Sequence, residues 1–206
     1  LLRSPNVGPV TYAQLLRRFG DAHSALAALP DLGARGGARY RPAGEKQIEA
    51  EIAAIRRAGA RHLFHDSPDY PPLLATADGA PPILTVRGDT AVASRPAIAM
   101  VGARNASAAA VKLARDFAAA FAARGFCVVS GLARGIDAAA HRGALAAGAQ
   151  GGGTIGVIAS GIDIAFPPEN AALHEEIAQG ALLIAEQPPG TEPLARHFPQ
   201  RNRIIA

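Results

Sequence analysis

The sequence predicts an α/β protein: a Rossmann-like, doubly wound, mainly parallel sheet preceded by a small all-helical N-terminal module. Three observations carry this. Between Pro96 and Ala185, short continuous apolar runs alternate with longer alanine-rich stretches. Runs that are apolar at every position are strands covered on both faces, the condition of a parallel sheet. Each run ends in a glycine-bearing turn, and before residue 60 the apolar residues recur at helical spacing instead.

The elements follow in order. Thr11 to Phe19 reads as a helix that Gly20 closes, and Asp21 caps a second one through Leu29, stopped by Pro30. Gly33 to Gly44 reads as a glycine- and arginine-rich loop. Glu45 to Ala58 is a third helix, with Ile48, Ile52 and Ile55 on one face and Gly59 at its end. Residues 1–60 therefore form one helical module and residues 61–206 a Rossmann-like domain. His62–His65 and Ile83–Val86 are strands flanked by the proline pairs Pro71-Pro72 and Pro81-Pro82, so they are expected at an edge or as connectors. Four parallel strands are expected at Ala97–Val101, Phe126–Val129, Thr154–Ala159 and Ala181–Ala185. Between them run helices from Ser107 to about Arg124, from Asp137 to Ala147 and from Asn170 to Gln179.

Composition narrows the function without naming it. The chain has 206 residues, 49% of them hydrophobic, enough for one substantial domain with an appendage. Its formal net charge is +4, and Lys46 and Lys112 are its two lysines, so the basicity is guanidinium. That permits a polyanionic partner without requiring one. The single Cys127 lies in an apolar strand and reads as an inert buried thiol. No apolar run approaches the ~18 residues of a membrane span and no signal-peptide pattern is present, which makes the cytoplasm the default location. Both ends read as cut: the chain begins at Leu1-Leu2 and stops at Ala206 within an element still in progress.

The loops at the strand ends carry the chemistry. Gly102-Ala103-Arg104-Asn105-Ala106-Ser107 offers a tight turn, an arginine able to grip phosphate and a hydroxyl beside a helix start. Its simpler reading is a helix cap with a solvated arginine. Ser130-Gly131-Leu132-Ala133-Arg134-Gly135-Ile136-Asp137 places an arginine between two glycines where a strand hands over to a helix, a position that favours anions. Asp137 and His141, four apart, share a helix face and read either as an acid/base pair or as supports of the turn. Arg196-His197-Phe198-Pro199-Gln200-Arg201-Asn202-Arg203 sets arginines beside an aromatic ring, as single-stranded nucleic acid requires, or else begins a basic solvated helix with Phe198 in the core. Several chemistries are disfavoured. There is no Gly-x-Gly-x-x-Gly fingerprint, no acidic residue closing the second strand, no Walker lysine and no Gly-x-Ser-x-Gly elbow. His62 and His65 lack ligand partners for a metal, and no cofactor is expected.

Taken in order, these loops resemble the DNA-processing protein A family, DprA or Smf. The resemblance rests on Ile98 to Asn105, Val129 to Asp137 with Ala140-His141, Gly161-Ile162-Asp163, Phe166-Pro167, Asn170, Glu186, and Phe198 to Ile205. It covers roughly residues 60–206. The helical residues before it are similar in placement to that family's SAM-like or helix-hairpin-helix module. The resemblance implies a non-enzymatic protein that binds and protects incoming single-stranded DNA, loads the RecA recombinase in natural transformation, and acts as a homodimer. It implies a DNA pocket at Arg104, Ser130, Gly131, Phe198, Arg201 and Arg203. Gly102, Asn105, Ser107 and Arg134 join these from the loop chemistry, and Lys112 and Arg196 from charge placement. Ala103 departs from the family, whose members often carry serine or threonine there. One alternative is a nucleoside-phosphate-processing enzyme of the lysine-decarboxylase-like, phosphoribohydrolase type, with Glu186 or Asp137 as acid/base. Pro188-Pro189-Gly190-Thr191-Glu192 matches that signature only in part. A scaffold whose basic surface serves protein partners is the other.

Overall fold

The computed structural model describes residues 1–36 and 41–206. Contacts divide it into two compact units, Leu1–Ala54 and Ile55–Ala206.

In the first unit, α1 (Pro9–Phe19) ends at Gly20, whose φ of 85° places it in the left-handed region that ends helices. Asp21 then caps α2 (Ala22–Gly36) by accepting from the Ser24 amide at 2.8 Å. Val7, Leu15, Ala25 and Leu29 form the core between them. Helix α2 does not stop at Pro30 as the sequence predicts, but continues to Gly36. Proline removes one amide from the ladder, and the turns on either side of it persist. The expected loop at Gly33–Gly44 is thus helical over its first four residues, and residues 37–40 lie outside the described residues. Helix α3 (Glu45–Arg57) follows, and Glu51 near its middle takes a forked pair of bonds from Arg3, with Nε to Oε2 at 2.9 Å and Nη2 to Oε1 at 2.8 Å.

The second unit is built on a six-stranded sheet, β1 (Arg61–Phe64), β2 (Ile83–Gly88), β3 (Ala97–Ala99), β4 (Cys127–Ser130), β5 (Thr154–Gly161) and β6 (Leu182–Gln187), in the order β1-β2-β6-β5-β4-β3. Strands β3 to β6 are parallel, and β2 joins β6 antiparallel with Val86 opposite Ile184. Strand β1 is at one edge, as expected, and β3 is at the other. Strand β2 is not at an edge: it lies between β1 and β6. Pro81 and Pro82 fall just before β2 begins, so the strand keeps its donors.

The parallel strands show why their sequences are apolar throughout. Leu182 and Ile184 of β6 pack on one face of the sheet with Cys127, Val129, Ile155 and Val157. Leu183 and Ala185 turn to the other face and join Ile158, Ile162 and Leu173. The first face is met by Ile204 and Ile205 of the last helix, α8 (His197–Ile205), and by Leu74 of the one-turn helix α4 (Pro72–Ala75). The second is covered by α6 (Ile136–Leu145) and α7 (Ala171–Gly180), which bring Ala138, Leu173 and Ile177. Helix α5 (Ala108–Ala123) lies against α6 through Ala118, Ala122, Ala140 and Ala144. Small side chains let those two backbones approach: a Cβ on Gly143 of α6 would sit 2.2 Å from the Arg115 carbonyl of α5. This is the expected Rossmann-like α/β architecture. Cys127 is buried within it, and burial pushes its thiol up to about 12, so it is un-ionised at neutral pH.

Candidate functional site

Strands β3 to β6 end at the same side of the sheet, where connecting backbone leaves hydrogen-bonding groups free and ligands gather. Two of the loops there are stitched together. The Met100 amide donates to the Val129 carbonyl at 2.9 Å, and Ser130 Oγ donates to the Met100 carbonyl at 2.6 Å. Gly135, the residue before α6, has φ 73°, and a Cβ there would lie 2.3 Å from the Ala103 carbonyl. Only glycine tolerates that conformation at that distance. The loop carrying Arg104 therefore sits directly on the turn that opens α6.

The turn from Gly131 to Arg134 is held from three directions. Asp137 Oδ2 accepts from the Gly131 amide at 3.2 Å, and Asn170 Nδ2 donates to the Leu132 carbonyl at 2.9 Å. Arg201 Nη1 donates to the Gly131 carbonyl at 2.5 Å and also to the Val157 carbonyl. Leu132 takes a left-handed φ of 56° and drives its side chain into the core, where it is 1% exposed.

Between these loops lies a cavity of about 330 Å³, at the small end of ligand sites and suited to one planar ring with its substituents. Arg104, Asn105, Arg134, Phe166, Phe198 and Arg201 line it. No carboxylate appears among the described residues of its wall. Arg104 lies with its guanidinium carbon 5.2 Å from the centroid of Phe198, a cation–π contact that holds the charge in place. Phe198 in turn meets Phe166 at 6.0 Å between centroids, tilted by 53°. Arg134 pairs with Glu169, both half in water, so its charge stays available at the mouth. Burial pulls the Arg201 guanidinium below its usual range; Asp137 opposes this and Arg104 adds to it. Two cations thus lie near one another in the cavity wall, with the Asp137 carboxylate beside the more buried of them.

The structure sorts the residues singled out from sequence. Arg104, Asn105, Gly131, Arg134, Phe198 and Arg201 come together at the cavity. Arg201, expected to grip phosphate, is buried at 6% exposure and binds backbone carbonyls instead, so its place is structural as well as electrostatic. Six others lie outside the cavity wall. Ser130 is fully buried and its hydroxyl is committed to Met100. Gly102 packs against Ile136, where a Cβ would come within 2.7 Å of Cγ1. Ser107 caps α5, accepting from the Ala110 amide at 3.2 Å. Lys112 pairs with Asp116 one turn along α5, at 2.6 Å. Arg196 is exposed at the start of α8. Arg203 is bound to Glu186 and the Gly79 carbonyl. With Ser107 acting as a cap, Ser107→Ala should lower stability by about 1 kcal/mol in urea melts without altering the salt dependence of anion binding.

The carboxylates offered for an enzymatic alternative are engaged elsewhere: Glu186 with Arg203 and Asp137 with the Gly131 amide. His141 is buried and engages the strands that lead into the turn. Its Nδ1 lies 2.7 Å from Thr154 Oγ1, whose hydroxyl donates to the Val128 carbonyl, so the imidazole donates to threonine. Complete burial, reinforced by nearby Arg201, lowers its pKa to about 3. A histidine depressed in the folded state is neutral there while the unfolded chain takes up a proton below about 6.5. Stability should accordingly be full above pH 6.5 and fall as pH drops from 6.5 toward 3, read as urea midpoints across that range. His141→Phe should flatten that fall.

Among the cavity residues that sequence reading did not assign to the site, with Ala133, Ala159, Ser160, Pro167 and Pro193, Phe166 is the aromatic one. Its signal was the Phe166-Pro167 pair after the third parallel strand.

The fold and this cavity define a Rossmann-like α/β protein with an arginine- and aromatic-lined, carboxylate-free recess at the carboxyl edge of its sheet. The chain belongs to the DNA recombination-mediator protein A family, whose model matches residues 61–206; residues 1–54 match the model of a DprA-like N-terminal HHH domain. It is 35% identical to protein Smf of Synechocystis sp., over 97% of this chain and 52% of that protein. It is 36% identical to DNA processing protein DprA of Bacillus subtilis, over 75% of this chain and 52% of that protein. The chain thus spans about half the length of these curated relatives. Among solved structures, DNA processing protein A from Streptococcus pneumoniae superimposes with a TM-score of 0.80 at 29% identity, covering 97% of this chain and 70% of that one. The protein from Helicobacter pylori, solved for its single-stranded DNA binding mode, gives 0.63 at 26% identity, over 71% and 64%. Among the described residues no helix is long and apolar enough to cross a membrane.

Proposed function

We propose that this protein is a non-catalytic recombination mediator that binds single-stranded DNA, protects it on entry during natural transformation and hands it to the RecA recombinase, acting as a homodimer. The observation that carries the reading is the cavity wall: three arginines and two phenylalanines with no carboxylate among them. Guanidinium groups follow a phosphate backbone without reading sequence, and aromatic rings hold bases that are unstacked. A ring can stack only on a base that is free of its neighbours, so the strand enters single. Arg104, steadied by Phe198, and Arg134 at the mouth grip phosphates, while Asn105 offers an amide to either phosphate or base. The family's recombination-mediator description and the single-stranded DNA bound by the relative from Helicobacter pylori support this reading.

The mediator step is tested with the full-length protein, RecA and single-stranded DNA already coated by a single-strand-binding protein. The protein should shorten the lag before RecA begins hydrolysing ATP on that DNA, and Arg104→Ala should restore the lag. An unchanged lag with the wild-type protein contradicts the mediator role.

A further inference from the structure

We propose that Phe166 is a base-stacking platform of the cavity, taking the face of a nucleobase whose phosphate is held by Arg104 or Arg134. The inference rests on the single-stranded DNA reading above and assigns to Phe166 a task that sequence reasoning had given to Phe198.

The two rings are differently placed. Phe198 is partly buried and has the Arg104 guanidinium over it, 5.2 Å from its centroid, so one of its faces already serves as the seat of that cation. Phe166 has no such burden. It is 43% exposed, lines the cavity, and belongs to none of the hydrophobic clusters of the unit. Its contact with Phe198 is tilted by 53° at 6.0 Å, which leaves it presenting π surface to the recess.

The loop that carries Phe166 is tied down. Ser160 Oγ donates to the Ile164 carbonyl at 2.7 Å, and the Ile164 amide donates to the Gly161 carbonyl at 3.0 Å. Asp163 accepts from the Gly190 amide at 2.9 Å, joining this loop to the one that leads to α8. Asn170, on its far side, is fixed to the Leu132 carbonyl. A ring already held in position loses little freedom on binding, which favours it as a platform. Cations and an open aromatic face in one nucleotide-sized recess match the two halves of a nucleotide. Because every base has a π face, the platform accepts any base.

Stacking is uncharged, and this separates it from phosphate contacts. Phe166→Leu should weaken binding of a thymine oligomer about tenfold while leaving the slope of affinity against salt unchanged. The chain contains no tryptophan, so Phe166→Trp places a single reporter in the recess. Its emission should be quenched by a thymine oligomer and not by an abasic oligomer of the same length. Wild-type affinity in Phe166→Leu, or tryptophan emission indifferent to the thymine oligomer, overturns the proposal when Arg104→Ala still weakens binding. If Arg104→Ala binds as the wild type does, the single-stranded DNA reading of the cavity fails, and the platform with it.

Discussion

Arg104→Ala should weaken binding of single-stranded DNA by roughly 10- to 100-fold, the range expected for one charge-assisted phosphate contact. The loss should be about equal for all sequences, because a phosphate contact carries no base information. It should also reduce the slope of log affinity against log salt by about 0.7, the contribution of one neutralised phosphate on a single strand. The slope is the sharper readout. A variant that merely loosened the loop would bind more weakly at every salt concentration and leave the slope alone. Arg104 is suited to this reading because its partner is a ring rather than a carboxylate: its charge is oriented by Phe198 and not neutralised. Lys112, outside the cavity wall on α5, should show no comparable change when replaced by alanine.

Gly135→Ala should have the largest effect on stability among single-methyl changes at the site. The residue holds φ 73° and ψ −119°, a conformation available to glycine and strained for any other residue by about 1–3 kcal/mol. The added Cβ would also stand 2.3 Å from the Ala103 carbonyl oxygen and 2.6 Å from that of Arg104, both backbone atoms that no rotamer change can move aside. Overpacking of that kind costs about another 1–3 kcal/mol. A loss of about 2–6 kcal/mol should appear as a lower urea midpoint. The clash lies on the segment carrying Arg104, so DNA affinity should fall even where the variant remains folded. Gly190→Ala is the contrast: φ there is 74°, but nothing lies within 4 Å of its Cβ, so the cost is conformational only.

What could be read from the sequence was what is decided locally. Strand β5 and its neighbours were legible because burial on both faces demands an apolar residue at every position. Asp21 and Ser107 were legible as helix starts because a cap bonds an amide only three residues on. The persistence of α2 beyond Pro30 and the interior position of β2 were not, since proline's local signal was outweighed by packing and pairing elsewhere. The site shows the same division. The sequence marked the turn at Gly131 as an anion site, but what holds it arrives from afar: Asn170 lies 38 residues beyond its partner Leu132, and Arg201 lies 70 beyond Gly131. Arg104, Arg201 and Arg203 are alike as letters. Packing alone separates a cation seated on a ring from one that clamps carbonyls and from one paired with Glu186. The engagement of the Ser130 hydroxyl is hidden for a related reason, because its partner, the Met100 carbonyl, belongs to a loop 30 residues away.

The central claim is that this cavity takes a single strand by its phosphates and bases. Gel shifts of the wild-type chain with a thymine oligomer and with a duplex of equal length, across a salt series, test it most directly. The single strand should bind at least about tenfold more tightly than the duplex, since unpaired bases alone reach the rings, with affinity falling steadily as salt rises. Equal affinity for the two, or no binding of the single strand at low salt, would contradict it.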